Sequence, residues 1–178
     1  RNFLLLRKPL SLKNPLFVVG LDGSASSINA LEAAALFAVA FGAEVHLVYA
    51  FDSEIHKDIF GGLKESLINE GGFAFNAKAQ EKIHDEFIDK GLARVGAMIL
   101  DKAEKDVFGD PDTSPAHAAG WGLMGDGAHT RRFKKILDGH IYQKICSYAE
   151  EVKADLVFVG RIGRHATEGL DLGSVAEN

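Results

Sequence analysis

Two short apolar runs on either side of one alanine-rich stretch constrain this fold more than any other feature of the chain. Pro15 opens LFVVGLD (16–22), rich in β-branched residues, which reads as a buried strand of a parallel sheet. GSASS breaks that run, and its serines suit the cap of a following helix. The helix, over about 27–41, ends at Gly42, a residue suited to a left-handed C-terminal cap. AEVHLVYAFD (43–52) is then a second strand. Strand, helix and strand within about 35 residues make a βαβ unit, whose crossover is expected to be right-handed.

The same alternation continues downstream. Residues 53–75 are punctuated by glycine (Gly61, Gly62, Gly71, Gly72) and weakly patterned. A long amphipathic helix follows from Asn76 to Asp106, with Ile83, Phe87, Val95 and Ile99 assigned to one face. Residues 107–130 carry Pro111, Pro115 and several glycines and read as a long loop. FKKILD (133–138) is a short third strand, IYQKICSYAEEVKA a helix, and DLVFVG a fourth, buried strand. The pattern predicts an α/β fold: a three-layer α/β/α sandwich with a mostly parallel sheet. The 178 residues suffice for one domain, over 15–178, with a long insertion around 53–132. Residues 1–14 read as an N-terminal extension whose LLL can pair as an edge strand. In such sheets ligands bind beyond the carboxyl ends of the strands, which directs attention to GLDGS and GRIGRH.

Charge and cysteine content narrow the function. A net charge of −5 argues against nucleic-acid binding by bulk electrostatics, and the basic RRFKK (131–135) reads as a solvated strand edge. The single cysteine, Cys146, supports neither an internal disulfide nor a zinc site and reads as a buried structural thiol. The apolar stretch 31–51 carries Glu32, Glu44 and His46 and breaks at Gly42, so helix plus strand explains it better than a membrane span. No signal peptide is visible and a cytoplasmic location is expected. Residue 1 is Arg, so the true N-terminus is expected upstream.

Glycine motifs carry the remaining chemistry. Gly120-x-Gly122-x-x-Gly125 has the dinucleotide spacing, but neither a strand precedes it nor a helix follows, so it reads as an ordinary loop. No Gly-Lys pair exists, which removes a Walker A loop. The terminal stretch GRIGRHATEGLDLGSVAEN (160–178) differs, because Gly160 sits directly at a strand end. Ser174 and Glu177 are spaced as a capping box, so Gly173-Ser174 is read as a helix N-terminus. Gly160 and Gly163 can turn amides inward as a nest for an anion, with Arg161 and Arg164 adding positive charge. A plain glycine-rich connection satisfies the same residues.

The spacing Gly160-x2-Gly163-x9-Gly173-Ser174 resembles the nucleotide-binding signature of the universal stress protein family. LFVVGLDGSASSINALEAA is similar to that family's first strand and helix, AEVHLVYAFD to its second strand, and LDGHIYQKICSYAEEVKADLVFVGR to its third-strand end, third helix and fourth strand. The resemblance covers about 100 residues and implies an adenine-nucleotide hydrolase-like sandwich that binds ATP, with or without Mg²⁺. It implies that Gly160, Gly163, Gly173 and Ser174 contact phosphates and ribose, and that Asp22 sits beside the adenosine. By the same resemblance Gly20, Leu21 and Ala50 line the adenine pocket and Val175 packs under the ligand. A turn or capping role is the alternative for Asp22.

Several features depart from the family pattern. Asp171 stands where an apolar residue is usual; Mg²⁺ can bridge it to phosphates, although a solvent-facing carboxylate is the simpler reading. His165 is either a phosphate neighbour or an exposed loop residue. The family's last helix and fifth strand are expected to be missing after Asn178, leaving a sheet edge that a homodimer partner, another chain or the LLL segment covers. No catalytic constellation stands out: the histidines are scattered, and the serines after the first strand lack a paired base. The expected function is therefore an ATP-binding regulatory domain in stress response, in which phosphate orders the 160–173 loop and so alters assembly or partner binding. Hydrolysis would be slow at most. The alternatives are a non-nucleotide interaction module of a larger protein, or a nucleotide α-hydrolase, although GLDGSASS lacks the paired glycines of that group's loop.

Overall fold

The structure, a computed structural model, describes residues 14–55, 77–109, 130–163 and 173–177, of which 77–88 and 174 are described in backbone only. Its elements in chain order are β1 (Leu16–Gly20), α1 (Ala25–Phe41), β2 (Glu44–Phe51), α2 (Ala77–Phe108), β3 (Arg132–Asp138), α3 (Ile141–Glu151), β4 (Leu156–Val159) and α4 (Ser174–Glu177). The strands pair in the order β3-β2-β1-β4, every pair parallel, with Phe17 opposite both Val45 and Leu156. Three strands thus advance in one direction, and the chain then crosses back to place β4 on the far side of β1. The order reverses between β1 and β4, which makes the gap beyond their carboxyl ends the switch point of the sheet.

The period-two alternation of the strands sorts the core into two layers. Phe17, Val19, Val45 and Leu47 face α1 and α2, together with Leu31, Ala34, Leu100 and Ala103 of those helices. Val18 and Val48 face α3, packing on Ile145, Tyr148 and Ala149. Phe17, Val18, Val19, Val45, Leu47 and Val48 are all fully buried, as expected for central strands covered on both sides. α1 starts where the side chain of Ser24 accepts the amide of Ser27 and ends at Gly42, whose φ of 64° and ψ of 37° form the left-handed cap.

Three sequence expectations change. The inward stripe of α2 is not the one assigned: Val95 is 45% exposed, whereas Leu100 and Ala103 are buried and Ile99 packs against the core. The reason is Gly96, where a Cβ would run into the Tyr49 ring; that notch turns position 96 toward the sheet and Val95 away from it. Ile83 and Phe87 lie outside the described side chains. Cys146 is exposed rather than buried, because Ile145, Tyr148 and Ala149 take the inward face of α3 and the neighbour of Ile145 points outward. β4 is only partly buried: Leu156 is covered, but Val157 is 45% exposed, β4 being one of the two edge strands among the described residues.

Charged pairs join the layers. Arg132 Nε lies 2.9 Å from Glu104 Oε1, and Lys134 Nζ lies 3.0 Å from Glu104 Oε2 and 2.6 Å from Asp101 Oδ1, tying β3 to α2. Burial raises the Glu104 carboxyl, but hydrogen bonds and charge from Lys134 and Arg132 outweigh it and hold it below its ordinary value. The basic run at 131–135 is thus largely matched by acids, with Arg131 Nη2 3.3 Å from Glu44 Oε2. On the α3 face the buried His46 is held on both ring nitrogens, Nδ1 2.7 Å from the Tyr148 hydroxyl and Nε2 2.8 Å from Glu44 Oε1. Burial pushes the Tyr148 hydroxyl up, with the charges of Glu151 and Glu44 adding to the effect. The N-terminal LLL, the Gly120–Gly125 motif and Arg164, His165, Gly169 and Asp171 lie outside the described residues.

Candidate functional site

A cleft of about 470 Å³ opens beyond the carboxyl ends of β1, β2 and β4. Gly20, Leu21 and Asp22 form its floor at the end of β1; Ala50, with Tyr49, Phe51 and Asp52, flanks it from β2; Val159, Gly160, Ile162 and Gly163 bound it at β4. Gly173 and Val175 close the far side. Of the residues expected at a nucleotide, Gly20, Leu21, Asp22, Ala50, Gly160, Gly163, Gly173 and Val175 therefore line one cavity, although they come from three strands and a terminal helix. The side chain of Ser174 lies outside the description. Leu21 is 3% exposed with its side chain in the α1–α2 core, so it offers backbone to the cleft.

The first turn of the glycine loop is built onto α1. Ser24 Oγ donates to the Ile162 carbonyl at 3.5 Å, and the Ile162 amide donates to Ser26 Oγ at 3.3 Å, so two serines of GSASS hold Ile162 from both sides of its Cα. Gly160 is required by this docking: a Cβ there would stand 2.8 Å from the Ser27 nitrogen and 2.9 Å from the Ser26 carbonyl carbon. Gly173 closes the loop from its other end, its amide donating to the Arg161 carbonyl at 2.7 Å. These hydrogen bonds tie residues 160–163 to α1 and to Gly173.

α4 also differs from expectation. The Glu177 amide donates to the Gly173 carbonyl at 3.0 Å, so Gly173 holds the cap position and Ser174 is the first helical residue. The amide that a Ser174–Glu177 capping box would satisfy by a hydroxyl is taken by a carbonyl instead.

Asp22 is placed by its own turn, Oδ1 accepting the Ser24 amide at 2.9 Å, while the Asp22 amide faces Ser27 Oγ at 3.4 Å. A Cβ on Gly163 would lie 3.1 Å from Asp22 Oδ2, so the carboxylate and the glycine loop meet across the switch point. The turn alternative for Asp22 is met through Oδ1, while Ser24 rather than Asp22 caps α1, and Asp22 also lines the cleft.

Tyr49, Asp52, Ile55 and Leu92 line the cleft and are not among the expected site residues. Asp52 was readable, since it ends an apolar strand on the side where ligands bind. Leu92 was not, because only the Tyr49–Gly96 contact fixes which face of α2 meets the sheet. Among the described residues no group of three or more His, Cys, Asp and Glu side chains is arranged to hold a metal ion, and no helix is long and apolar enough to cross a membrane.

Comparison with known proteins agrees with this architecture. A model of the universal stress protein family matches residues 124–178. Universal stress protein MJ0531 of Methanocaldococcus jannaschii is 31% identical over 160 residues, 90% of this chain and 72% of that protein. Among solved structures, hypothetical protein MJ0577, whose biochemical function was assigned from its structure, superposes with a TM-score of 0.62 at 15% identity, covering 92% of this chain and 85% of that one. Universal stress protein UspA from Lactobacillus plantarum superposes with a TM-score of 0.57 at 15% identity, covering 92% and 88%. At that identity the two structures speak for the fold alone.

Proposed function

The chain belongs to the universal stress protein family, and from that premise we propose that its switch-point cleft binds an adenine nucleotide, ATP, as a regulatory ligand. The observation that carries this reading is the meeting of Asp22 from β1, Ala50 from β2 and Gly160, Gly163 and Gly173 of the terminal loop around one cleft of about 470 Å³. Glycine at 163 leaves backbone open toward that cleft; among the described residues, chain neighbours aside, the Asp22 carboxylate alone comes into contact range of a Cβ there. Such exposed loop backbone suits the oxygens of a phosphate, which need close approach and N–H donors. Apolar surface from Tyr49, Ile55 and Leu92 at the β2 end suits a ring system on the other side of the cleft. Mg²⁺, where present, would arrive on the phosphates and offset the Asp22 charge.

The regulatory part of the reading follows from who builds the walls. α2 contributes Leu92 and α3 contributes Ile141 and Ile145, so a ligand would touch helices on both faces of the sheet at once. Binding would then favour one arrangement of the two layers and alter assembly or partner affinity rather than drive chemistry. Titration calorimetry with ATP, with and without Mg²⁺, on the wild type and on Gly163→Val tests this. Micromolar binding that the valine abolishes is expected, without turnover on the time scale of the titration. No heat at millimolar ATP would sink the nucleotide reading and favour an interaction module. Release of AMP and pyrophosphate would favour an α-hydrolase.

A further inference from the structure

We propose that Asp52 is the residue with which the cleft selects the base of its ligand, by accepting a hydrogen bond from an exocyclic amino group. The inference rests on the nucleotide reading above and adds a specificity determinant to it. The cleft runs from the β4 loop across β1 to the end of β2, two strand spacings or about 10 Å. With phosphates against Gly163, a ribose spans the gap and the base falls at the β2 end.

That end is built differently from the loop end. Tyr49, Ile55 and Leu92 supply apolar surface, and the Tyr49 ring is fixed by its seat in the Gly96 notch of α2. Asp52 lines the same end, and its Oδ1 accepts the Glu54 amide at 3.1 Å in an exposed turn. This turn orients the side chain and uses one oxygen, leaving Oδ2 as a further acceptor on the same group. A base that covers Oδ2 and brings a donor replaces the water it displaces, whereas a base that brings none removes that water without replacing it. Sites built to hydrogen-bond a ligand group reject the analogue lacking it far more strongly than apolar pockets reject an extra methylene. The chemical class so selected is a purine nucleotide with an amino group on its six-membered ring.

The test compares ATP with purine ribonucleoside triphosphate, the same nucleotide without its 6-amino group, by calorimetry on wild type and Asp52→Asn. The asparagine keeps an oxygen for the Glu54 amide, so the turn survives and its NH₂ faces the ligand in place of Oδ2. Asp52→Ala is the second variant, and thermal unfolding checks that both fold. Wild type is expected to prefer ATP about tenfold or more. Both variants are expected to lose about tenfold in ATP affinity while the deamino nucleotide changes less than twofold. Equal loss of both nucleotides, or no change for ATP, would overturn the role of Asp52 while leaving nucleotide binding intact. Absence of ATP binding by the wild type would instead overturn the reading of the cleft, and this inference with it.

Discussion

Asp22 Oδ2 lies 3.1 Å from where a Cβ on Gly163 would stand, and apart from the chain neighbours of Gly163 no other atom of the described residues comes within 4 Å of that point. The carboxylate of β1 and the glycine loop of β4 therefore share one surface of the cleft. Gly163→Ala is expected to fold with a melting temperature within a few degrees of wild type, because the new methyl meets one side-chain oxygen and no backbone. It should nevertheless displace the carboxylate and weaken ATP by about tenfold, roughly the loss of one charge-assisted hydrogen bond. Paired thermal unfolding and calorimetry separate the two effects; a large loss of stability would show that position 163 is not open.

Gly160 makes the opposite case three residues earlier. Its missing Cβ would stand 2.8 Å from a backbone nitrogen of α1, and backbone in the first turn of a capped helix cannot step aside. Gly160→Ala is expected to destabilise the fold by about 1–3 kcal/mol, as overpacking does. At about 2–4 °C per kcal/mol the melting temperature should fall clearly. An unchanged melting curve would mean the loop does not dock on Ser26 and Ser27 as described.

The two glycines show how far the sequence could be read. Their spacing was visible and pointed to the loop, but not that one packs against a helix and the other faces a cleft. That difference depends on the register of β4 against α1, which no local pattern encodes. β1, β2 and α1 were legible within a few residues because strands buried on both faces read as continuous apolar runs and Gly42 stops the helix. The inward face of α2 was not, since a glycine notch for Tyr49 overrides the apolar periodicity that favoured Val95. His46 looked like one of several scattered histidines, and only the packing of α3 on β2 brings it to Tyr148, 102 positions away in the chain.

The pair formed by those two residues gives a third expectation. Tyr148→Phe removes the hydroxyl that meets His46 Nδ1 at 2.7 Å and leaves a buried ring nitrogen without that partner. The expected cost is about 1–3 kcal/mol, set by the unsatisfied nitrogen rather than by lost apolar contact. Urea unfolding checks it. His46→Phe in the Tyr148→Phe background should cost less than His46→Phe alone, because the polar partner is already gone.

Acid should act on the bridge between α2 and β3. Burial opposes the Glu104 charge, yet the hydrogen bonds from Lys134 and Arg132 leave its pKa below the ordinary 4.5. A carboxyl whose folded pKa lies below its unfolded value stabilises fully above that unfolded value. The contribution is then lost as pH falls through the folded one. Lys134, held above its ordinary 10.5 by Asp101 and Glu104, contributes below that value and loses its share only as pH rises further, outside the acid range. Because the pair is partly exposed, its worth is of order 1 kcal/mol. Wild type should therefore exceed Glu104→Gln by about that amount at pH 7, and the gap should shrink steadily below pH 4.5. Urea unfolding of both proteins from pH 7 to pH 3 measures the difference directly, since the other acids are common to both. A gap that stays constant to pH 3 would mean that Glu104 stabilises by packing and not by charge.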